Sequence, residues 1–180
     1  MNQTPDLVAE CPASLTTWGL ESGESAWAML AEVALRSQEN AVSKVSRFAA
    51  YAAAFEKSFE SDDWSFVEPF FAEGIVYDSD IDPPIGGHFV GRPDVLAYLK
   101  RVLDQFDRRF ESRTLELVDG PREESNGEEG SVWNRGAATY ASPGVPDLVI
   151  ELEETVYFEG DLICRLQDHY EPKMIDKIHA

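Results

Sequence analysis

The chain has 180 residues and a formal charge of −19, because 34 acidic residues outnumber 15 basic ones. Such a field repels phosphate backbones and anionic headgroups, so we expect neither nucleic acid nor a membrane as a partner. With 43% hydrophobic and 11% aromatic residues, the chain is long enough for one domain with a sizeable core.

The cysteines and the start of the chain carry no signal for a special compartment. Cys11 and Cys164 are too few for a disulfide framework or a zinc cluster. The first residues lack a basic segment followed by an apolar one, and no apolar run approaches membrane-spanning length. Glycine-rich phosphate loops and nucleophile motifs are also missing. We therefore expect a cytoplasmic protein without a metal or nucleotide cofactor.

The first part of the sequence has the apolar spacing of helices. Residues 1–40 are interpreted as an N-terminal extension, an irregular arm that leads into a short helix. Helical spacing recurs in four segments: 24–37, 40–60, 64–71 and 92–109. The Ser61-Asp62-Asp63 sequence predicts both the end of one helix and the cap of the next. Pro93 suits the first turn of the last helix.

The second part of the sequence has the composition of strands. Five segments are predicted to be strands: 74–78, 114–119, 131–141, 149–158 and 162–170. The loop 79–91 is rich in proline and glycine and is expected to rim a cavity, whereas 120–130 is predicted to be a charged turn. Helices followed by antiparallel strands predict an α+β fold, in which a cone-shaped, curved, mostly antiparallel sheet wraps around helices. The interior of such a cone is where ligand sites form.

The last two predicted strands each carry one carboxylate in an otherwise apolar row, because side chains alternate between the two faces of a strand. The first row is Leu148, Ile150, Leu152, Glu154, Val156 and Phe158; the second is Leu162, Cys164, Leu166, Asp168 and Tyr170. Each carboxylate is either a strand-end group that reaches water or a functional acid whose pKa is raised by burial.

Four pieces of sequence, in this order, resemble the nuclear transport factor 2-like superfamily and its SnoaL-like members. They are DDWSFVEPFFAEGIVYDSD, GGHFVGRPDVLAYLKRVL, WNRGAATY and FEGDLICRLQDHYEP. The resemblance covers about 43–172, and we assign the domain to 41–172, with a tail at 173–180. The superfamily includes ketosteroid isomerases, limonene epoxide hydrolases, polyketide cyclases and scytalone dehydratases, so the fold does not by itself set the function.

Resemblance to the isomerases implies a base in the loop after the first strand and an acid before the turn into the last strand. Asp78, Asp80 or Asp82 could be the base, and Glu154 is at the position of the acid. The tyrosine of the isomerases is replaced by Phe55, with Tyr51 one turn away.

Resemblance to the epoxide hydrolases implies two aspartates bridged by an arginine. Asp168 and Arg135 match two of these positions, whereas the second aspartate is replaced by Ala137, so the triad is incomplete unless Glu154 substitutes for it. The cyclases use one aspartate on the final strand, which Asp168 satisfies. The histidines of the dehydratases cannot be placed, because the chain contains only His88, His169 and His179. Members often pair through the open face of the sheet, which implies a homodimer.

Asp168, Glu154 and Arg135 are thus the candidate catalytic residues, although a salt bridge of Arg135 with either acid would also explain them. The candidate residues for binding a substrate are Tyr51, Phe55, Trp64, Asp78, Asp80, His88, Trp133 and Tyr140. We expect a cofactor-independent acid/base enzyme, of the isomerase, cyclase or epoxide-hydrolase type, acting on a small hydrophobic molecule. The alternative is a non-catalytic module that binds a small molecule or a protein.

Overall fold

The computed structural model of the chain describes residues 43–81, 86–125, 130–171 and 173. The predicted extension with its helix at 24–37, Asp82, and the tail after 173 lie outside these residues. The described part contains two α-helices, α1 (Lys44–Ser61) and α2 (Arg92–Gln105). Its short 3-10 helices are Trp64–Phe66, Glu68–Phe70 and Asp107–Arg109. Its strands are β1 (Phe71–Ser79), β2 (His88–Val90), β3 (Ser112–Ser125), β4 (Gly130–Ala141), β5 (Leu148–Glu159) and β6 (Leu162–His169).

The six strands form one sheet in the order β2-β1-β6-β5-β4-β3. Neighbouring strands are antiparallel except for the parallel pair β1 and β6. The predicted α+β architecture, a curved and mostly antiparallel sheet with helices, is therefore confirmed.

Local sequence explains where α1 begins and ends. The Ser43 hydroxyl accepts a hydrogen bond from the Ser46 amide at 3.1 Å, which satisfies one of the free donors of the first turn. At the other end, Asp62 has a φ of 58° and its amide donates to the Ser58 carbonyl at 2.9 Å. This left-handed residue closes the last turn. No helix in the described ranges is long and apolar enough to cross a membrane.

Three predicted boundaries are wrong. Segment 64–71 is not one helix but two 3-10 helices, because Pro69 supplies no amide for a continuing helical ladder. The predicted loop 79–91 contains β2, which pairs with β1 through Val76 and Val90. The predicted turn at 120–130 begins too early, since β3 continues through Gly120 with a shift in register against β4.

The apolar row predicted for the last strand is also wrong at its first two positions. Phe158 pairs with Ile163 and Tyr157 pairs with Arg165, so Cys164 is one residue extra in β6. Because of this shift, the side chain of Ile163 points into the core, whereas Leu162 is 40% exposed. The later residues of the two predicted rows share the inner face of the sheet, as predicted.

The core lies between the two helices and the concave face of the sheet. Its fully buried members include Phe48, Val67, Phe71, Ile75, Val95, Val132, Val156, Phe158 and Ile163. Further along β4 the inward positions are Gly136 and Ala138, which are too small to fill the space between sheet and helices. A cavity remains there.

Candidate functional site

The cavity has a volume of about 220 Å³ and is bounded by α1, α2 and the strands β3 to β6. Most of its wall is apolar or aromatic. That part of the lining includes Phe48, Tyr51, Phe55, Leu99, Leu103, Phe106, Ile150, Leu152 and Leu166. Polar side chains occur in two groups, at opposite ends of the cavity.

The first polar group contains the two predicted carboxylates. Glu154 on β5 pairs directly with Asp168 on β6, and Asn134 on β4 pairs with Glu154, so the three side chains point to the same face. All three line the cavity. The Asn134 amide Nδ2 donates to Glu154 Oε2 at 3.1 Å. The two carboxylates therefore share one cavity.

Two tyrosines form a chain of hydrogen bonds that ends on Asp168. Tyr77 on β1 donates its hydroxyl proton to Asp168 Oδ2 at 2.7 Å. Tyr98 on α2 donates to the Tyr77 hydroxyl oxygen at 3.0 Å. The chain fixes the orientation of the Asp168 carboxyl group, because Tyr77 and Tyr98 are themselves buried in the core.

Both carboxyl groups hold their protons more tightly than an exposed acid. Burial, with the adjacent Glu154 carboxylate, raises the pKa of Asp168 to about 8, against a lowering by the hydrogen bond from Tyr77. Burial also raises the pKa of Glu154, and the hydrogen bond from Asn134 opposes this. Ionising both acids is unfavourable because the two negative charges would repel each other, so the pair retains a proton near neutral pH.

Tyr51 on α1 faces the same group. Burial raises the pKa of its hydroxyl well above the usual value, and the charges of Glu154 and Asp168 raise it further. The hydroxyl therefore stays protonated and can donate a hydrogen bond. In the part of the chain that the structure describes, it makes no hydrogen bond to another side chain or to the backbone.

The second polar group consists of Arg113, Glu56, Asp107 and Tyr140, all in the cavity lining. Arg113 Nη2 donates to both oxygens of Glu56 at 2.6 Å, and Nη1 donates to Asp107 Oδ1 at 3.2 Å. The Tyr140 hydroxyl donates to the same Asp107 oxygen at 2.9 Å. Burial raises the pKa of Glu56 and of Asp107, and Arg113 opposes both shifts.

Five of the predicted site residues line the cavity: Asp168, Glu154, Tyr51, Phe55 and Tyr140. Their catalytic and binding roles remain predictions. Trp64 does not reach the cavity. It packs edge-on against Phe55 at 5.9 Å between ring centroids, and so supports the wall from behind.

The prediction that Arg135 acts beside the two acids is wrong in its geometry. Arg135 pairs with Glu153 and not with Glu154, so it lies on the outer face of the sheet. Trp133 has the same parity along β4 and also points outward, where the Arg122 guanidinium stacks on its ring at 3.7 Å. Side chains alternate along β4, so Asn134, which pairs with Glu154, points inward and its neighbour Arg135 points outward.

The predicted loop residues Asp78, Asp80 and His88 do not line the cavity either. His88 Nδ1 lies 2.5 Å from Asp78 Oδ1, and Arg165 Nη2 lies 2.7 Å from Asp78 Oδ2. Asp80 Oδ2 lies 2.5 Å from the ring of His169. The Asp78–Arg165 contact is a partly exposed ion pair, and none of the three side chains faces the acids in the cavity.

Apart from Tyr140, the members of the second polar group are not among the predicted site residues, and neither are the two tyrosines that contact Asp168 in series, Tyr77 and Tyr98. Tyr77 was within a predicted strand and Asn134 within another, but neither register was predictable from the sequence. Arg113 and Glu56 are 57 positions apart and meet only in the folded chain. Among the described residues, no group of three or more His, Cys, Asp or Glu side chains is placed to hold a metal ion.

Neither a protein-family model nor a functionally characterised protein sequence matches the chain. Solved structures do. A candidate isomerase from Rhodopseudomonas palustris has a TM-score of 0.55 and 10% identity, over 74% of this chain and 96% of its own. A nuclear transport factor 2-like protein from Anabaena variabilis has a TM-score of 0.53 and 12% identity, over 77% and 98%. The chain has the nuclear transport factor 2-like fold.

A third structure with this fold, a protein of unknown function from Burkholderia pseudomallei, has a TM-score of 0.50 and 18% identity, over 74% of this chain and 98% of its own. At such identities the nuclear transport factor 2-like fold is what the proteins share, and their sites can differ. The predicted fold is thereby confirmed.

Proposed function

We propose that the protein is a cofactor-independent enzyme that moves a proton on a small hydrophobic molecule, in an isomerase or cyclase type of reaction. The observation that supports this most directly is the pair Glu154 and Asp168, paired across β5 and β6 in an apolar cavity. The pKa of Asp168 is raised to about 8, near the pH at which it would work. A general acid or base is most effective when its pKa is close to the operating pH.

In the proposed reaction, the Asp168 carboxylate removes a proton from a carbon next to a carbonyl group. The electron pair of the C–H bond moves onto the carbonyl oxygen, which gives an enolate. The same carboxylic acid then returns the proton to a second carbon. In a cyclisation, the enolate instead attacks a second carbonyl carbon of the same molecule, the C=O π electrons move onto its oxygen, and the resulting alkoxide takes the proton from the carboxylic acid. No electron is gained or lost overall, so no oxidant or reductant is required.

The enolate oxygen needs a hydrogen-bond donor that is already in place. Tyr51 supplies one, since its hydroxyl is protonated, lines the cavity and lies close enough to feel the charges of Glu154 and Asp168. Preorganised donors in an apolar site are typically the largest contribution to such catalysis.

Two observations bear on the other predicted activities. Arg135 lies on the outer face of the sheet, so it cannot bridge Glu154 and Asp168 as the epoxide hydrolase arrangement requires. An isomerase or cyclase step is therefore the better match. A non-catalytic binding module would have the same apolar cavity, and the experiment below separates it from an enzyme.

The test is hydrogen–deuterium exchange at carbon in D₂O, followed by proton NMR on a panel of small cyclic ketones. We expect the protein to accelerate exchange, with a rate that rises as the pH passes about 8, because Asp168 must be ionised to act as the base. Asp168→Asn should lower the rate by about 10²–10⁴-fold.

Glu153→Gln is the matched control, because Glu153 is adjacent to Glu154 in sequence but points to the outer face. It should leave the exchange rate and the pH profile unchanged. If the ketones bind but no ketone exchanges faster than in buffer, the protein is a binding module. If exchange persists in Asp168→Asn, Asp168 is not the base.

We also propose that the protein is a homodimer, as its resemblance to proteins of this fold implies. The outer face of the sheet carries Val149 and Leu162, which are 38% and 40% exposed. Light scattering coupled to size exclusion would give the mass of the particle, and a monomer at micromolar concentration would rule this out.

A further inference from the structure

The group of Arg113, Glu56, Asp107 and Tyr140 belongs to the same cavity as the carboxyl pair but lies at its other end. Asn134 and Tyr140 both point inward from β4 and are six positions apart, which corresponds to about 20 Å along an extended strand. Between them the inward residues are Gly136 and Ala138. The cavity thus has two polar ends and an apolar middle.

The arginine at this end is not available to an anionic ligand. Both of its terminal nitrogens donate to carboxylates, Nη2 to Glu56 and Nη1 to Asp107. Its guanidinium stacks on the Phe59 ring at 3.8 Å, and its side chain is only 6% exposed. A ligand carboxylate would have to displace one of these two partners.

What this end offers instead is hydrogen-bond acceptors. Two carboxylates against one guanidinium leave a formal charge of −1. Glu56 is the accessible acid of the group, with 27% of its side chain exposed compared with 7% for Asp107. Each Glu56 oxygen that accepts from Arg113 has a second lone pair for a donor from the cavity.

We propose that this end of the cavity recognises a hydrogen-bond donor, a hydroxyl or an ammonium group, on the part of the ligand remote from the reacting carbon. A ligand with a carboxylate or a phosphate at that position is rejected, because the acceptors and the net charge both oppose it. The substrate class is then an apolar molecule that carries the carbonyl at one end and the donor at the other. Only the assignment of which end reacts rests on the proposed function.

The test is a comparison of dissociation constants at pH 7 for four probes with one skeleton: naphthalene, 2-naphthol, 2-(aminomethyl)naphthalene and 2-naphthoate. We expect both donor probes to bind at least about tenfold more tightly than naphthoate, since a hydrogen bond to a charged group contributes about this much. Naphthoate that binds as tightly as 2-naphthol would overturn the proposal.

Glu56→Gln removes one negative charge and one partner of Arg113. It should weaken the ammonium probe and strengthen naphthoate, so that the tenfold gap shrinks to about twofold. Glu60→Gln is the matched control, because Glu60 is one turn further along α1 and exposed; it should preserve the ranking. If Glu56→Gln does not fold, Tyr140→Phe takes its place. Without the Tyr140 hydroxyl, Asp107 Oδ1 loses a donor and becomes free to accept one from the ligand, so 2-naphthol should bind several-fold more tightly relative to naphthoate, and an unchanged ranking would overturn the proposal.

Asp168→Asn separates this proposal from the proposed function. If the preference for donors disappears in Asp168→Asn and survives in Glu56→Gln, the donor binds at the carboxyl pair and the proposal fails. If Glu56→Gln changes the ranking as expected while no ketone exchanges, the proposal holds and the enzymatic function fails.

Discussion

The two faces of the sheet carry the same kinds of residue in opposite roles. On the inner face Glu154 pairs with Asp168, and on the outer face, one position away, Glu153 pairs with His169. The inner acids lie among apolar side chains, and burial raises the pKa of both. On the outer face, partial burial alone would raise the pKa of Asp78, but hydrogen bonds from His88 and Arg165 lower it overall.

The difference teaches that the environment, and not the residue type, makes these carboxylates chemically useful. An outer acid meets a cation or water and stays ionised, as an ordinary surface group does. An inner acid meets a second acid and a tyrosine, so it exchanges its proton near neutral pH.

The largest expected effect is on stability, and it compares two adjacent aromatic residues of β5. Phe158 is fully buried in the core, whereas the Tyr157 hydroxyl bonds to Gln167 on the outer face at 3.3 Å. Phe158→Ala should lower the free energy of unfolding by about 3–5 kcal/mol because it leaves a cavity. Tyr157→Ala should lower it by about 1 kcal/mol or less. Urea denaturation followed by circular dichroism measures both, and equal losses would contradict the assignment of the two faces.

The next effect is a pH dependence of stability that comes from Asp168. Its pKa of about 8 in the folded protein exceeds the value of about 4 in an unfolded chain, so the folded state retains a proton that the unfolded state loses. The free energy of unfolding should therefore fall as the pH rises from about 4 to about 8. Asp168→Asn cannot ionise, so it should flatten this slope and be more stable than the wild type at pH 8.

Asp78→Asn is the control from the outer face. Because the pKa of Asp78 is lowered by His88 and Arg165, its contribution is present at all pH values above about 4 and is lost only as the pH falls through its folded pKa. The variant should lose a similar, small amount of stability at every point between pH 5 and pH 8. A wild-type slope in Asp168→Asn would show that the carboxyl pair titrates normally.

Most of the fold was predictable from local patterns, and the errors come from the pairing between strands. The order of helices and strands and the face of each carboxylate followed from apolar periodicity. The extra residue at Cys164 was not predictable, because a register shift depends on the pairing of β6 with its neighbours rather than on the composition of the strand. The length of β3 was missed for the same reason, since charged residues fill a segment that still pairs with β4.

The candidate site was predictable only where it lies within one hairpin. Glu154 and Asp168 follow from the alternation of β5 and β6, but Tyr77, Asn134 and Arg113 come from other strands whose register is set by tertiary packing. The resemblance implies that Arg135 lies beside the acids. In the structure Asn134 is the residue of β4 that pairs with Glu154, so its neighbour Arg135 points to the outer face. A site whose side chains come from several strands cannot be predicted from the sequence of any one strand.

The smallest expected effect belongs to His169, which is next to Asp168 in sequence. Its ring pairs with Asp80 at 2.5 Å, and its side chain is 62% exposed on the outer face. His169→Gln should change the free energy of unfolding by less than about 1 kcal/mol, because an exposed ion pair contributes little. The carbon-13 chemical shift of the Asp168 carboxyl group, followed by NMR from pH 5 to pH 9, should show the same midpoint in the variant and the wild type. A midpoint that moves with His169 would mean that the two faces are electrically coupled, and the raised pKa of Asp168 would then not be a property of the cavity alone.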